Sequence, residues 1–120
     1  MNKSESYILT NNPDVAAKYP LIACYMEVGV GSIFEAVRNA VHKGAKLVSH
    51  PLSGSIKPGE SPYKSVAISK ETGTLDYKSL QIIEDAIAVL KRLSGRNRQY
   101  EESVLADFRV IDLDLIKAAV

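Results

Sequence analysis

The chain predicts a three-layer α/β domain, with a mostly parallel four-stranded sheet in the strand order 2-1-3-4 and helices on both faces. Three observations predict it. Apolar runs of strand length alternate with segments of helical period, in the order strand, helix, strand, helix, strand, loop, strand, helix. Strands joined through helices run parallel, with right-handed crossovers. The third observation is size: 120 residues suffice for one core and not for two, and 46% hydrophobic with 24% charged residues is ordinary globular composition.

The first strand is Tyr7-Ile8-Leu9-Thr10, after a flexible N-terminus over residues 1–6. It ends at Asn11-Asn12-Pro13, where Asn12 can cap the free N–H groups of a helix and Pro13 suits its first position. That helix is short, because Pro20 forbids continuation. Residues 21–27 form the second strand, with Cys24 in its middle as a buried, inert thiol. Gly29-Val30-Gly31-Ser32 opens the next helix, where Ser32 and Glu35 have capping-box spacing. Ile33, Phe34, Val37 and Val41 share one face of it, and Gly44 stops it.

The third strand is 45–49, leading into a loop over 50–64 that three prolines and two glycines keep irregular. The fourth strand is 65–69. Because the loop before it holds no helix, an antiparallel direction for this strand is also open. Asp76 caps the longest helix, running to about Ser94, whose wide apolar face suits a sheet. A polar linker at 95–100 precedes two short helical pieces, Val104 to Phe108 and Leu113 to Val120. The layout is Rossmann-like or flavodoxin-like, and such sheets bind ligands beyond the carboxyl ends of their strands.

Composition excludes several function classes. Fifteen basic against fourteen acidic residues leave no field that would steer the chain to nucleic acid. Apolar runs are too short to span a bilayer, the first residues lack the apolar run of a signal peptide, and the expected location is the cytoplasm. One cysteine allows no internal disulfide and gives no metal-ligand spacing. Gly29-x-Gly-Ser lacks the third glycine of a dinucleotide fingerprint, so no nucleotide cofactor is expected, and no metal. The phosphate-binding lysine loop, the serine nucleophile elbow and paired histidines on a helix are also absent from the sequence.

What remains is a candidate ligand site at the carboxyl edge, built from Thr10, Asn11, Asn12, Gly31, Ser32, His50, Ser53, Gly54, Ser55, Lys57, Tyr63 and Lys64. Helix N-termini and lysines favour an anion there, such as a carboxylate or phosphate. Each residue also has a plainer reading: Asn11 and Asn12 as turn and cap residues, His50 as a structural hydrogen-bonding group, the lysines as surface charges. No catalytic residue is assigned, and His50 and Lys64 are the candidates for acid–base or Schiff-base chemistry. Several broad apolar stripes favour a homodimer.

Thr10-Asn11-Asn12-Pro13, His50-Pro51-Leu52-Ser53-Gly54-Ser55, Pro62-Tyr63-Lys64-Ser65, Ile82-Ile83-Glu84-Asp85 and the closing Asp107-Phe108 with Asp112-Leu113-Asp114 resemble the GrdX family. The resemblance runs from Tyr7 to about Ile116. It implies a small protein encoded beside the glycine, sarcosine and betaine reductase components of amino-acid-fermenting anaerobic bacteria. It implies a pathway context, with reductase components as partners, rather than a reaction. With a single cysteine and no selenocysteine, the chain is not the reductase itself. Two functions follow: an accessory protein binding a small anionic metabolite or a reductase component, or a small enzyme acting on an amino-acid or acyl-phosphate compound through His50 and a lysine.

Overall fold

The computed structural model describes residues 6–52, 61–93 and 99–120. Its sheet is three-stranded and mixed. β1 (Ser6–Thr10) is central, β2 (Ala23–Tyr25) pairs parallel to it, and β3 (Ser65–Ser69) pairs antiparallel on its other side, giving the order β2-β1-β3. Four helices complete the described residues: α1 (Pro13–Lys18), α2 (Val30–His42), α3 (Tyr77–Leu93) and α4 (Glu102–Lys117).

This overturns the expected four-stranded, mostly parallel Rossmann-like sheet. Residues 65–69 lie directly beside β1, with no third strand between them, and run against it. Residues 45–49, expected as the third strand, make one antiparallel bridge, Leu47 to Ile68, on the far side of β3. Backbone bonds persist there, from Val48 N–H to Ala67 O (2.8 Å) and from Ser69 N–H to Lys46 O (2.8 Å), but hydroxyls take other ladder positions: Lys46 N–H donates to Ser69 Oγ (2.8 Å) and Ala67 N–H to Ser49 Oγ (2.8 Å). Gly44 sets the approach. Its φ of 109° is left-handed, and a Cβ on it would stand 2.3 Å from the Gly73 nitrogen, in the turn that follows β3. The chain therefore enters beside the end of β3 and runs back along it.

Other bounds also move. β2 is three residues long because Ile22 and Ala23 still donate to Tyr19 O in a turn. As the edge strand it leaves Cys24 exposed, not buried. α2 starts at Val30 with Gly29 as N-cap and no side-chain cap bond, so Ser32 is not the cap its spacing suggested. α1 keeps its expected cap: Asn12 Oδ1 accepts from Asp14 N–H at 2.9 Å, with Pro13 opening the helix. Asp76 likewise accepts from Ser79 N–H (3.3 Å) and Ser79 Oγ (2.6 Å) at the start of α3. α4 is one continuous helix, not two pieces.

Side-chain alternation along β3 assigns the layers. Val66 and Ile68 meet α2 and α3 in a cluster with Phe34, Val37, Ile83 and Ala86. Ala67, with Ile8 of β1, meets Val15 of α1 and Ile116 of α4 on the other face. Burying Phe34 or Ile83 completely contributes on the order of 2–3 kcal/mol each. The α4 face of β1 and β3 is polar at its ends, where Thr10 pairs with Ser65 and Ser6 with Ser69, all buried. No helix among the described residues is long and apolar enough to cross a membrane.

Candidate functional site

The antiparallel register sets the carboxyl end of β1 against the amino end of β3, so Thr10 faces Ser65 and their hydroxyls meet at 2.7 Å. α4 lays Asp112, itself buried, over this pair. Asp112 Oδ1 accepts from Ser65 N–H at 3.0 Å, and Oδ2 accepts from Ser65 Oγ at 2.7 Å and Asn12 Nδ2 at 3.1 Å. An ionised carboxylate only accepts, which gives the chain of hydroxyls one direction. Asn12 N–H donates to Thr10 Oγ1 (2.9 Å), Thr10 to Ser65 Oγ, and Ser65 to Asp112. The network satisfies a carboxylate that would be costly to bury alone.

Asn11 sits beside this chain and serves as a piece of backbone. Its Oδ1 accepts from Lys64 N–H at 2.8 Å, while its Nδ2 donates to Pro62 O (2.8 Å) and Val28 O (2.9 Å). One side chain thus ties the β1–α1 turn to the segment before β3 and to the segment before α2. Lys64 is placed by these bonds.

Lys64, Ser65 and Asp112 line a cavity of about 280 Å³ together with Ser49 and His50, and Val48, Leu115, Ile116, Ala118 and Ala119 form its apolar wall. Lys64 is only 9% exposed. Burial holds its ammonium below the ordinary range, and the charge of Asp112 opposes that shift. His50 is exposed, and its Nδ1 accepts from Leu52 N–H at 3.1 Å, which leaves Nε2 as the protonated nitrogen of the neutral ring. Ser49 accepts from Ala67 N–H and keeps its own hydroxyl proton to donate. The cavity offers a cation, two neutral donors and a carboxylate in one small volume. Among the described residues, no group of three or more His, Cys, Asp or Glu side chains could hold a metal ion.

The expected site residues separate into groups. His50 and Lys64 line the cavity, Thr10 and Asn12 support Ser65 and Asp112 beneath it, and Asn11 holds the Lys64 backbone. Gly31 and Ser32 lie exposed in the first turn of α2 and are not among the cavity's walls. Tyr63 turns to α4, where Arg109 Nη1 donates to its hydroxyl at 2.9 Å and the guanidinium stands 5.4 Å from its ring centroid. Arg109 also bonds Glu102, and that bond followed by the one to Tyr63 raises its pKa. Ser53, Gly54, Ser55 and Lys57 lie outside the described residues.

Sequence reasoning missed Asp112, Ser65, Ser49 and Arg109 as parts of this arrangement. A signal for Asp112 existed: on a continuous helix it shares one face with Ile116 four residues on, a carboxylate at a core-facing position. The model of the GrdX-like protein family matches residues 7–120 of the chain. No curated protein and no solved structure matches it.

Proposed function

We propose a function from the premise that this chain belongs to the GrdX-like family, whose model covers residues 7–120. It acts as an accessory protein of the glycine, sarcosine and betaine reductase system, binding a small carboxylate- or phosphate-bearing metabolite, or such a group on a reductase component. The system comes from the family; the ligand chemistry comes from the cavity. The observation that carries it is Lys64, a nearly buried cation lining a cavity of about 280 Å³ beside His50 and Ser49. A cation held in place before the ligand arrives loses little entropy on binding.

Calorimetry with acetyl phosphate, phosphate, glycine and betaine tests the reading. Binding by the wild type that weakens in Lys64→Met and in added salt is the expected result. No heat with any of the four removes the small-anion reading and leaves protein docking. The enzymatic alternative has its own support, since His50 and Lys64 share one cavity. It is selected if His50→Ala abolishes turnover of an acyl phosphate while binding persists. A homodimer belongs to the same proposal, on the exposure of Leu21, Val110 and Ile111, and a monomer mass in light scattering at micromolar concentration would refute it.

A further inference from the structure

The cavity places a lysine where carbonyl chemistry can use one. Lys64 precedes β3, and Asn11 holds its backbone on both sides: Lys64 N–H donates to Asn11 Oδ1 at 2.8 Å, and Lys64 O accepts from Asn11 N–H at 3.4 Å. The next residue, Ser65, is bonded to Asp112 through both main chain and side chain. The Lys64 side chain therefore starts from a fixed point and is 9% exposed, whereas Lys70 and Lys78 lie on the surface.

We propose that Lys64 forms a reversible imine with a short-chain 2-oxo acid bound in this cavity. The inference rests on the reading that the cavity takes a small anionic ligand, and it deepens that reading to a carbonyl compound. The neutral Lys64 amine attacks the carbonyl carbon; a C–N bond forms, and the carbonyl oxygen takes up the proton that nitrogen loses. The resulting carbinolamine expels its hydroxyl group as water, with one proton from solvent, and leaves a protonated imine. Hydrolysis reverses each step, and no oxidant or reductant is consumed.

Each cavity group has a part in this. Asp112, whose charge already acts on Lys64, offsets the positive charge of the imine. His50, with Nδ1 engaged by Leu52 N–H, presents Nε2–H as a donor to the carbonyl oxygen or to a neighbouring carboxylate. Val48 and Leu115 supply an apolar wall for a short carbon chain. Desolvation lowers the Lys64 pKa, so its amine becomes neutral at a lower pH than that of a surface lysine.

Borohydride trapping tests the proposal on the full chain. The wild type is incubated with glyoxylate or pyruvate, reduced with sodium borohydride, digested and mapped by mass spectrometry. Lys64 should carry the reduced adduct several-fold above Lys70 and Lys78, and excess acetyl phosphate should suppress it. A Lys64→Arg variant, which has no primary amine at this position, should lose that adduct while the Lys70 and Lys78 background stays as in the wild type. Equal labelling of all lysines, or an unlabelled Lys64, overturns the imine. If calorimetry finds anion binding while Lys64 stays unlabelled, only the imine falls; if neither binding nor labelling occurs, the cavity reading falls with it.

Discussion

Ser65 gives both of its donors to Asp112: its N–H lies 3.0 Å from Oδ1 and its hydroxyl 2.7 Å from Oδ2. That contact fastens α4 to the first residue of β3 and closes the floor of the cavity. Asp112→Ala would leave the buried Ser65 and Asn12 donors without their acceptor. The expected cost is on the order of 3 kcal/mol, read as a lower urea midpoint. Asp112→Asn, which keeps one acceptor oxygen, should cost less. Equal midpoints for wild type and Asp112→Ala would show that the network does not hold α4.

Asn11 tests a different joint. Its Nδ2 donates to the carbonyls of Pro62 and Val28, so Asn11→Asp sets a carboxylate against two carbonyl oxygens. A loss of about 2–3 kcal/mol is expected. Because Asn11 also holds the Lys64 backbone, ligand binding should weaken in parallel. Destabilisation with unchanged affinity would separate the joint from the site.

Lys64 gives stability a dependence on alkaline pH. Its folded-state pKa lies below the ordinary value of 10.5, because desolvation outweighs the attraction of Asp112. Between the two values the unfolded chain binds more protons than the folded one, so this contribution to stability rises with pH across the window. Below the window the penalty of burying the charge is fully present. Lys64→Met should flatten that rise in urea midpoints measured at successive pH values. An unchanged alkaline limb would mean that Lys64 keeps an unshifted amine.

Two glycines with similar φ should respond differently to alanine. Gly44 (φ +109°) meets Gly73 nitrogen at 2.3 Å once a Cβ is built, whereas a Cβ on Gly73 (φ +115°) meets nothing within 4 Å. Gly73→Ala should cost about 1 kcal/mol, from backbone conformation alone. Gly44→Ala should cost at least about twice that, since it also displaces the segment leading to His50. Equal melting temperatures for the two variants would contradict this packing.

The sequence made local elements legible and pairing much less so. Asn12-Pro13 and Asp76 mark their helix starts by side-chain chemistry that acts within a few residues, and both caps form. Strand neighbours depend on long-range packing. Val66 and Ile68 read as a strand whether it is interior or at an edge, and nothing local records that β3 inserts beside β1. The loop without a helix before Ser65 was the one indication that its direction could reverse. Residues 45–49 have strand-like composition and run beside β3 with some backbone bonds, yet the hydroxyls of Ser49 and Ser69 take ladder positions and a single bridge remains, which composition does not record. Asp112 interrupted the apolar period of α4 and made one helix read as two. Its value to the fold appears only when Ser65 and Asn12 stand beneath it.

A small anion bound between His50, Lys64 and Asp112, as proposed, would shift the amide resonances around the cavity. The ¹⁵N-labelled chain is titrated with acetyl phosphate, phosphate, glycine and betaine. Saturable shifts at Ser49, His50, Lys64, Ser65 and Asp112 are expected with at least one of these ligands, and they should be lost in Lys64→Met. Shifts confined to Gly31 and Ser32 at the start of α2, or no saturable shift with any ligand, would contradict it.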